Sequence, residues 1–184
     1  SAFAATFPAS LSLSSATNLG LGLLLNGNSI IVGTNPAPFV FSSGSLDADI
    51  EQTGSAPPAL SASNASGELV LANPWVVTTF LGALNVTGGH ISISGAGPFP
   101  TDGNNPGLLD LGGLVLSLDG GVVKLGTTQL VDFGTDPASF TVPSGTFATI
   151  TESGSAPVYD VSISIPISVQ DTTTLDIGVV ATLT

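Results

Sequence analysis

The chain has no cysteine, no methionine and no arginine, and Lys124 is its one lysine. Without cysteine it has no disulfide to form and no thiolate for nucleophilic or zinc chemistry. Without methionine as well, it offers oxidants little to attack. A single basic residue leaves one site for a trypsin-type protease. It also excludes the Lys/Arg clusters that bind nucleic acid or anionic lipid. Thirteen carboxylates stand against that one cation, a formal charge of −12, so copies of the chain repel one another until something screens them. Divalent cations are the partners that such a charge attracts.

Helix signals are nearly absent too. Glu, Lys, Gln and Arg are few, no apolar stripe of period 3.6 is sustained, and 23 Gly and 13 Pro interrupt the chain every few residues. No apolar run approaches the ~18 residues of a membrane-spanning helix, so no membrane insertion is expected. The first ten residues, SAFAATFPAS, begin without Met and are rich in small residues, as after removal of a signal peptide. The expected location is extracellular or at a cell surface.

What is present is period-two alternation. Val161 to Val169 reads VSISIPISV, with Val161, Ile163, Ile165, Ile167 and Val169 on one face and serines and Pro166 on the other. His90 to Ser94 (HISIS) and Leu114 to Leu118 (LVLSL) repeat the pattern. Asn26-Gly27 and Asp119-Gly120 are the dipeptides that two-residue hairpins prefer. Short strands with Gly/Pro turns at this spacing predict an all-β fold, an antiparallel sandwich of jelly-roll-like architecture. The mean hydropathy of +0.53 fits a chain with a packed core.

The chain also repeats itself. Val32 to Leu46, VGTNPAPFVFSSGSL, returns as Phe133 to Phe147, FGTDPASFTVPSGTF; Ile50 to Pro57, IEQTGSAP, returns as Ile150 to Pro157, ITESGSAP. Gly33 against Gly134 gives an offset of 101 residues and Ile50 against Ile150 gives 100. The first copy therefore carries one extra residue, expected as a β-bulge within Asp47-Ala48-Asp49. The duplication divides the chain into an N-terminal extension (1–10), a first β unit (11–94), a linker (95–111) and a second β unit (112–184). Nothing in the second unit corresponds to Asn85 to Ser94, so it lacks a last strand and leaves an open edge. The N-terminal segment, with Phe3, Ala5 and Phe7 on one face at strand spacing, could fill such an edge in another copy or pair within its own chain.

Candidate sites are few. Asp47, Asp49 and Glu51 at i, i+2 and i+4 put a carboxylate row on one strand face, which either binds a hard cation such as Ca²⁺ or charges an edge against aggregation. Thr101 to Gly107, TDGNNPG, lacks the acidic ligands of a calcium loop and reads as the linker turn. His90, the one histidine, reads as a polar strand-end residue, and serine is too frequent here for a Ser-His-Asp combination to carry information. Trp75 is either a core residue or a sugar platform. Asn64 and Asn85 stand in N-glycosylation patterns. No cofactor is required and no enzyme is expected. The function expected is structural: a secreted subunit that assembles with itself into a filament, sheath or surface layer, by N-terminal strand donation. The alternative is a secreted carbohydrate-binding or adhesion module.

Overall fold

Alternating residues punctuated by Gly and Pro bury a core as strands, and the computed structural model is all-β. It describes residues 5–12, 19–21, 24–25, 28–33, 37–53, 59–102, 105–151, 160–163, 166–171 and 177–182, among which there is no helix. The first strands are β1 (Ala5–Ser12), β2 (Leu19–Leu21), β3 (Leu24–Leu25), β4 (Asn28–Ser29), β5 (Ala37–Phe39) and β6 (Phe41–Thr53). The middle of the chain gives β7 (Ala59–Leu71), β8 (Trp75–Thr79), β9 (Gly82–Gly95), β10 (Phe99–Asp102), β11 (Asn105–Asp110) and β12 (Val115–Leu125). Last come β13 (Thr128–Asp132), β14 (Ala138–Thr141), β15 (Phe147–Thr151), β16 (Asp160–Ile163), β17 (Pro166–Asp171) and β18 (Ile177–Thr182).

Most strands join one antiparallel sheet that curls into a half-barrel. The long strands change partners along their length. β6 covers one edge of β7, while the other edge passes from β10, with Ala62 opposite Phe99, to β9, with Leu69 opposite Ile91. β9 passes from β8 to β7, and β12 from β14 to β13. Each change of partner turns the sheet on itself, so one face closes around a core. That core holds Ala62, Leu69, Ile93, Phe99, Leu109, Leu114, Leu116, Val142 and Ala148. A smaller cluster of Ile30, Leu71, Trp75, Val77, Leu84 and Val86 lies beyond it, and Phe41 and Ile91 pack against both. Fully burying a side chain of this size is worth ~1.5–3 kcal/mol. A four-stranded sheet runs β17-β18-β2-β5, and β3 pairs with β4.

Several expectations meet a different outcome. Asp119-Gly120 is not a hairpin turn, because β12 runs straight through it. The pairing with β9 shifts on both sides of Gly120, and Gly121 has φ +119°. The dipeptide makes a bulge facing Gly88-Gly89, where four glycines let two backbones approach closely. At Asn26-Gly27, the flanking Leu25 and Asn28 pair as a hairpin requires; the two turn residues lie outside the described residues. A bulge does occur beside Asp47 to Asp49, but the extra residue is on the partner strand. Asp47 faces Ser66 and Asp49 faces Ser63, and Asn64, at φ +52°, absorbs the difference.

The stretch 95–111, expected as a linker, carries β10 and β11. Phe99 is 2% exposed and anchors that stretch in the core. The Asp110 carboxylate accepts from the Gly112 N–H at 2.9 Å and the Gly145 N–H at 3.1 Å, tying the end of β11 to the turn before β15. Asn85 to Ser94 lies inside β9, with β12 on one edge and β8 and then β7 on the other, rather than at a margin.

Candidate functional site

β6 turns Leu46, Ala48 and Ile50 toward the larger core, which leaves Asp47, Asp49 and Glu51 on the opposite face. Their neighbours are Ser10, Pro8 and Thr6 of β1 on one side and Ser66, Ser63 and Ser61 of β7 on the other. The Asn64 Nδ2 donates to the Asp49 Oδ2 at 2.9 Å. Same-face residues in a strand stand roughly 7 Å apart, whereas calcium holds its oxygens at about 2.4 Å. One ion does not reach all three carboxylates. Among the described residues no group of three or more acidic or histidine side chains is placed to hold a metal.

A second polar cluster was not legible in the sequence. His90 projects from β9 between Asp119 of β12 and Glu68 of β7, its Nδ1 at 2.5 Å from Asp119 Oδ1 and its Nε2 at 3.3 Å from Glu68 Oε2. The hydrogen bond that the imidazole donates to the Asp119 carboxylate raises its pKa above the ordinary value; partial burial opposes this and the bond to Glu68 adds to it. At Asp119 partial burial works against ionisation, but hydrogen bonds from His90 and Ser92 carry its pKa below the ordinary carboxylate value. Both ring nitrogens face carboxylates, an arrangement that favours the protonated ring, which donates to both. The sequence signal that points to this place is the pair of Gly-Gly steps, 88–89 and 120–121, each beside one partner.

The third feature is a pair of strand edges. Ala9 faces Ala48, Pro8 faces Asp49 and Ser10 faces Asp47. One hundred residues on, Leu109 faces Ala148, Leu108 faces Thr149 and Asp110 faces Phe147. β1 thus stands on β6 as β11 stands on β15, in the same register. The next strands also correspond: β6 pairs with β7 as β15 pairs with β16, Ile50 facing Ala62 and Ile150 facing Val161. The two sets differ in what lies outside them. β10 is paired with both β7 and β11. Among the described residues, β1 has no partner but β6, and β16 none but β15.

No protein-family model matches the chain, and neither the curated proteins nor the solved structures contain a match.

Phe3 lies outside the described residues. Ala5 and Phe7 belong to β1, opposite Gln52 and Ile50 of the same chain, which is the intrachain pairing weighed above. Asn64 is exposed at its bulge, and Asn85 is half-buried with its Nδ2 donating to the Ala83 carbonyl at 3.4 Å. Trp75, 6% exposed, is a core residue and no sugar platform. Asp102 and Asn105 end the β10–β11 hairpin, and the Asn105 Oδ1 accepts from the Gly107 N–H at 3.3 Å. No helix among the described residues is long and apolar enough to cross a membrane.

Proposed function

We propose that the protein is an extracellular structural subunit that assembles with itself into a filament, sheath or surface layer, joined by strand addition at its N-terminal end. One observation carries this reading: among the described residues, β1 and β16 each have an edge with no partner, where their counterparts β11 and β7 are joined through β10. Unpaired edges are templates for another chain, and proteins that do not use them cover or blunt them. The finer architecture that this reading uses is an internal duplication with units at 11–94 and 112–184; the matched registers of β1–β6 and β11–β15 support a duplication whose first strands fall in the stretches 1–10 and 95–111. The four-stranded sheet would be the second layer of a sandwich.

The reading assigns no catalysis, no required cofactor and no nucleic-acid or lipid partner. Its support is the charge of −12 with a single lysine, and a histidine whose ring nitrogens both face carboxylates. Like charge keeps subunits apart at low ionic strength, and mobile ions or divalent cations screen it. The assembly is therefore held by ladder hydrogen bonds and apolar contact, and salt strengthens it.

Electron microscopy of the purified protein at raised concentration and raised salt tests the proposal. Regular polymers are expected. Dispersed particles under every condition, or polymers that dissolve as salt is added, would reject it in favour of the binding-module alternative.

A further inference from the structure

Four exposed apolar side chains stand together at one end of the large sheet. β8 buries Trp75, Val77 and Thr79 and turns Val76 and Thr78 to the outer face. Phe80 continues that spacing into the turn before β9, and Leu81 follows it. Residues 30–32 run antiparallel along the other edge of β8: Ile31 bridges Thr79, the Val32 N–H donates to the Thr78 carbonyl at 2.9 Å, and the Phe80 N–H donates to the Ile30 carbonyl at 3.0 Å. Val32 is thereby set beside Thr78 and diagonal to Val76. The turn is fixed from below, where the Thr79 Oγ1 donates to the Gly82 carbonyl at 2.8 Å and accepts from the Leu81 N–H at 3.2 Å. Val32, Val76 and Leu81 are each about half exposed, and Phe80 is 62% exposed. Together they offer roughly 400 Å² of apolar surface, the size at which a patch marks an interaction site rather than scattered exposure.

The same end of the molecule lacks carboxylates. Residues 1–46 and 69–101, which include 30–32, β8 and β9, contain no Asp or Glu. Across the outer face Val76 stands opposite Asn85 of β9, and Asn85 opposite Lys124 of β12, so the one lysine lies at the margin of the patch. Asp132 of β13, opposite Val122, is turned to its own loop, where it accepts from the Gly134 N–H at 3.0 Å. Elsewhere the outer face carries Asp47, Asp49 and Glu51 on β6, Glu68 on β7 and Asp119 on β12. Two copies of charge −12 therefore meet at least electrostatic cost through this end.

From the coincidence of apolar surface, missing carboxylates and the lone cation, we infer that the patch is a contact with a second copy of the chain, made by the same patch on both copies about a twofold axis. Phe80 and its neighbours gain most against a surface like their own; laid on the acidic part of another copy they would strip water from unpaired carboxylates. Each Lys124 then sits at the rim and faces a partner of net charge −12. A same-to-same contact closes, so it gives a dimer. Its area falls short of the ~800 Å² per partner of a standard interface, so the dimer is weak and forms as concentration and salt rise. The dimer does not depend on strand addition at the N-terminal end; where both contacts form, they alternate along the polymer.

Sedimentation velocity over a concentration series at raised salt tests the contact. Reversible dimerisation is expected, with Phe80→Ser raising the dissociation constant about tenfold or more and Val76→Thr, which keeps shape and strand preference, raising it less. Leu130→Ser, the same kind of change at an exposed apolar residue on β13, three strands across the sheet, is expected to leave it unchanged. Trp75 emission and the melting temperature report that each variant stays folded. Because the chain has no cysteine, the symmetry is tested by a single substitution: Thr78→Cys is expected to give a disulfide-linked dimer in high yield on mild oxidation, and Leu130→Cys only traces. A monomer at every concentration and salt, or a dimer that Phe80→Ser leaves intact, overturns the proposal. So does growth beyond the dimer that needs Phe80 yet gives little Thr78→Cys cross-link, since two different surfaces then meet. A monomer that binds phosphatidylcholine vesicles, and loses that binding in Phe80→Ser, overturns it in favour of a lipid surface.

Discussion

A β-carbon placed on Gly121 would stand 2.9 Å from the Cα of Gly89, backbone against backbone. This contact, at the double bulge between β9 and β12, is what carries Asp119 to His90. Because neither atom is at the end of a flexible side chain, neither can move aside, and Gly121 also sits at φ +119°.

Gly121→Ala is therefore expected to cost more than backbone strain alone, which is worth roughly 1–3 kcal/mol. Gly145→Ala is the comparison: its φ is +82°, yet nothing lies within 4 Å of the added carbon. Denaturant midpoints should rank wild type above Gly145→Ala and Gly145→Ala above Gly121→Ala. Equal losses in the two variants would show that the approach of the two strands is looser than described.

The pair formed by His90 and Asp119 makes stability depend on pH in a defined direction. The folded imidazole pKa is raised, so its contribution is complete below about pH 6.5 and is lost as pH rises through the folded value. The folded Asp119 pKa is lowered, so its share is present above about pH 4 and is lost as pH falls through the folded value. The window of greatest benefit lies between. With both groups well exposed the benefit is no more than about 1 kcal/mol. The one histidine gives one imidazole resonance by NMR, which should titrate above the free-imidazole value. Asp119→Asn should bring it down further than Glu68→Gln does; the reverse order would contradict the ranking of the two bonds.

Trp75 supplies an optical check on the smaller core. As the one tryptophan, at 6% exposure between β7 and β9 partners such as Leu71 and Val86, it should emit to the blue of a solvated indole. Iodide should quench it only after denaturation. Quenching in the folded protein comparable to that of the unfolded chain would return it to the surface, where a sugar platform belongs.

Calcium is expected to find no stoichiometric site on the row Asp47, Asp49 and Glu51. The carboxylates are spread along a strand, and Asp49 is engaged by Asn64. Calorimetric titration should give no saturable heat at micromolar metal. Saturable heat that disappears in Asp49→Asn would reinstate the row as a ligand set.

The all-β fold was legible because alternation is a local property. Trp75, Val77 and Thr79 are buried while Val76 and Thr78 between them are exposed, and the sequence states that pattern outright. Pairing is not local, and there the reading failed. Asp119-Gly120 encodes permission for an unusual backbone, but whether that permission serves a turn or a bulge is decided by Gly88 and Gly89 on another strand. The bulge expected within Asp47-Ala48-Asp49 has its extra residue on β7, at Asn64, and nothing in the sequence of β6 shows what its partner strand does. Residues 95–111 looked like a linker because Gly, Asn and Pro are frequent in it, yet Phe99, Leu109 and Leu111 hold that stretch in the core. Glu68 and Asp119 gave no sign that they would meet at His90.

β7 lies between β6 on one edge and both β9 and β10 on the other. It is held by three ladders, with β6, β9 and β10, so opening any one of them leaves it attached to the sheet through the others. In a polymer this strand would act as a cross-tie, carrying tension from one joint to the next through the middle of each subunit rather than along its margin.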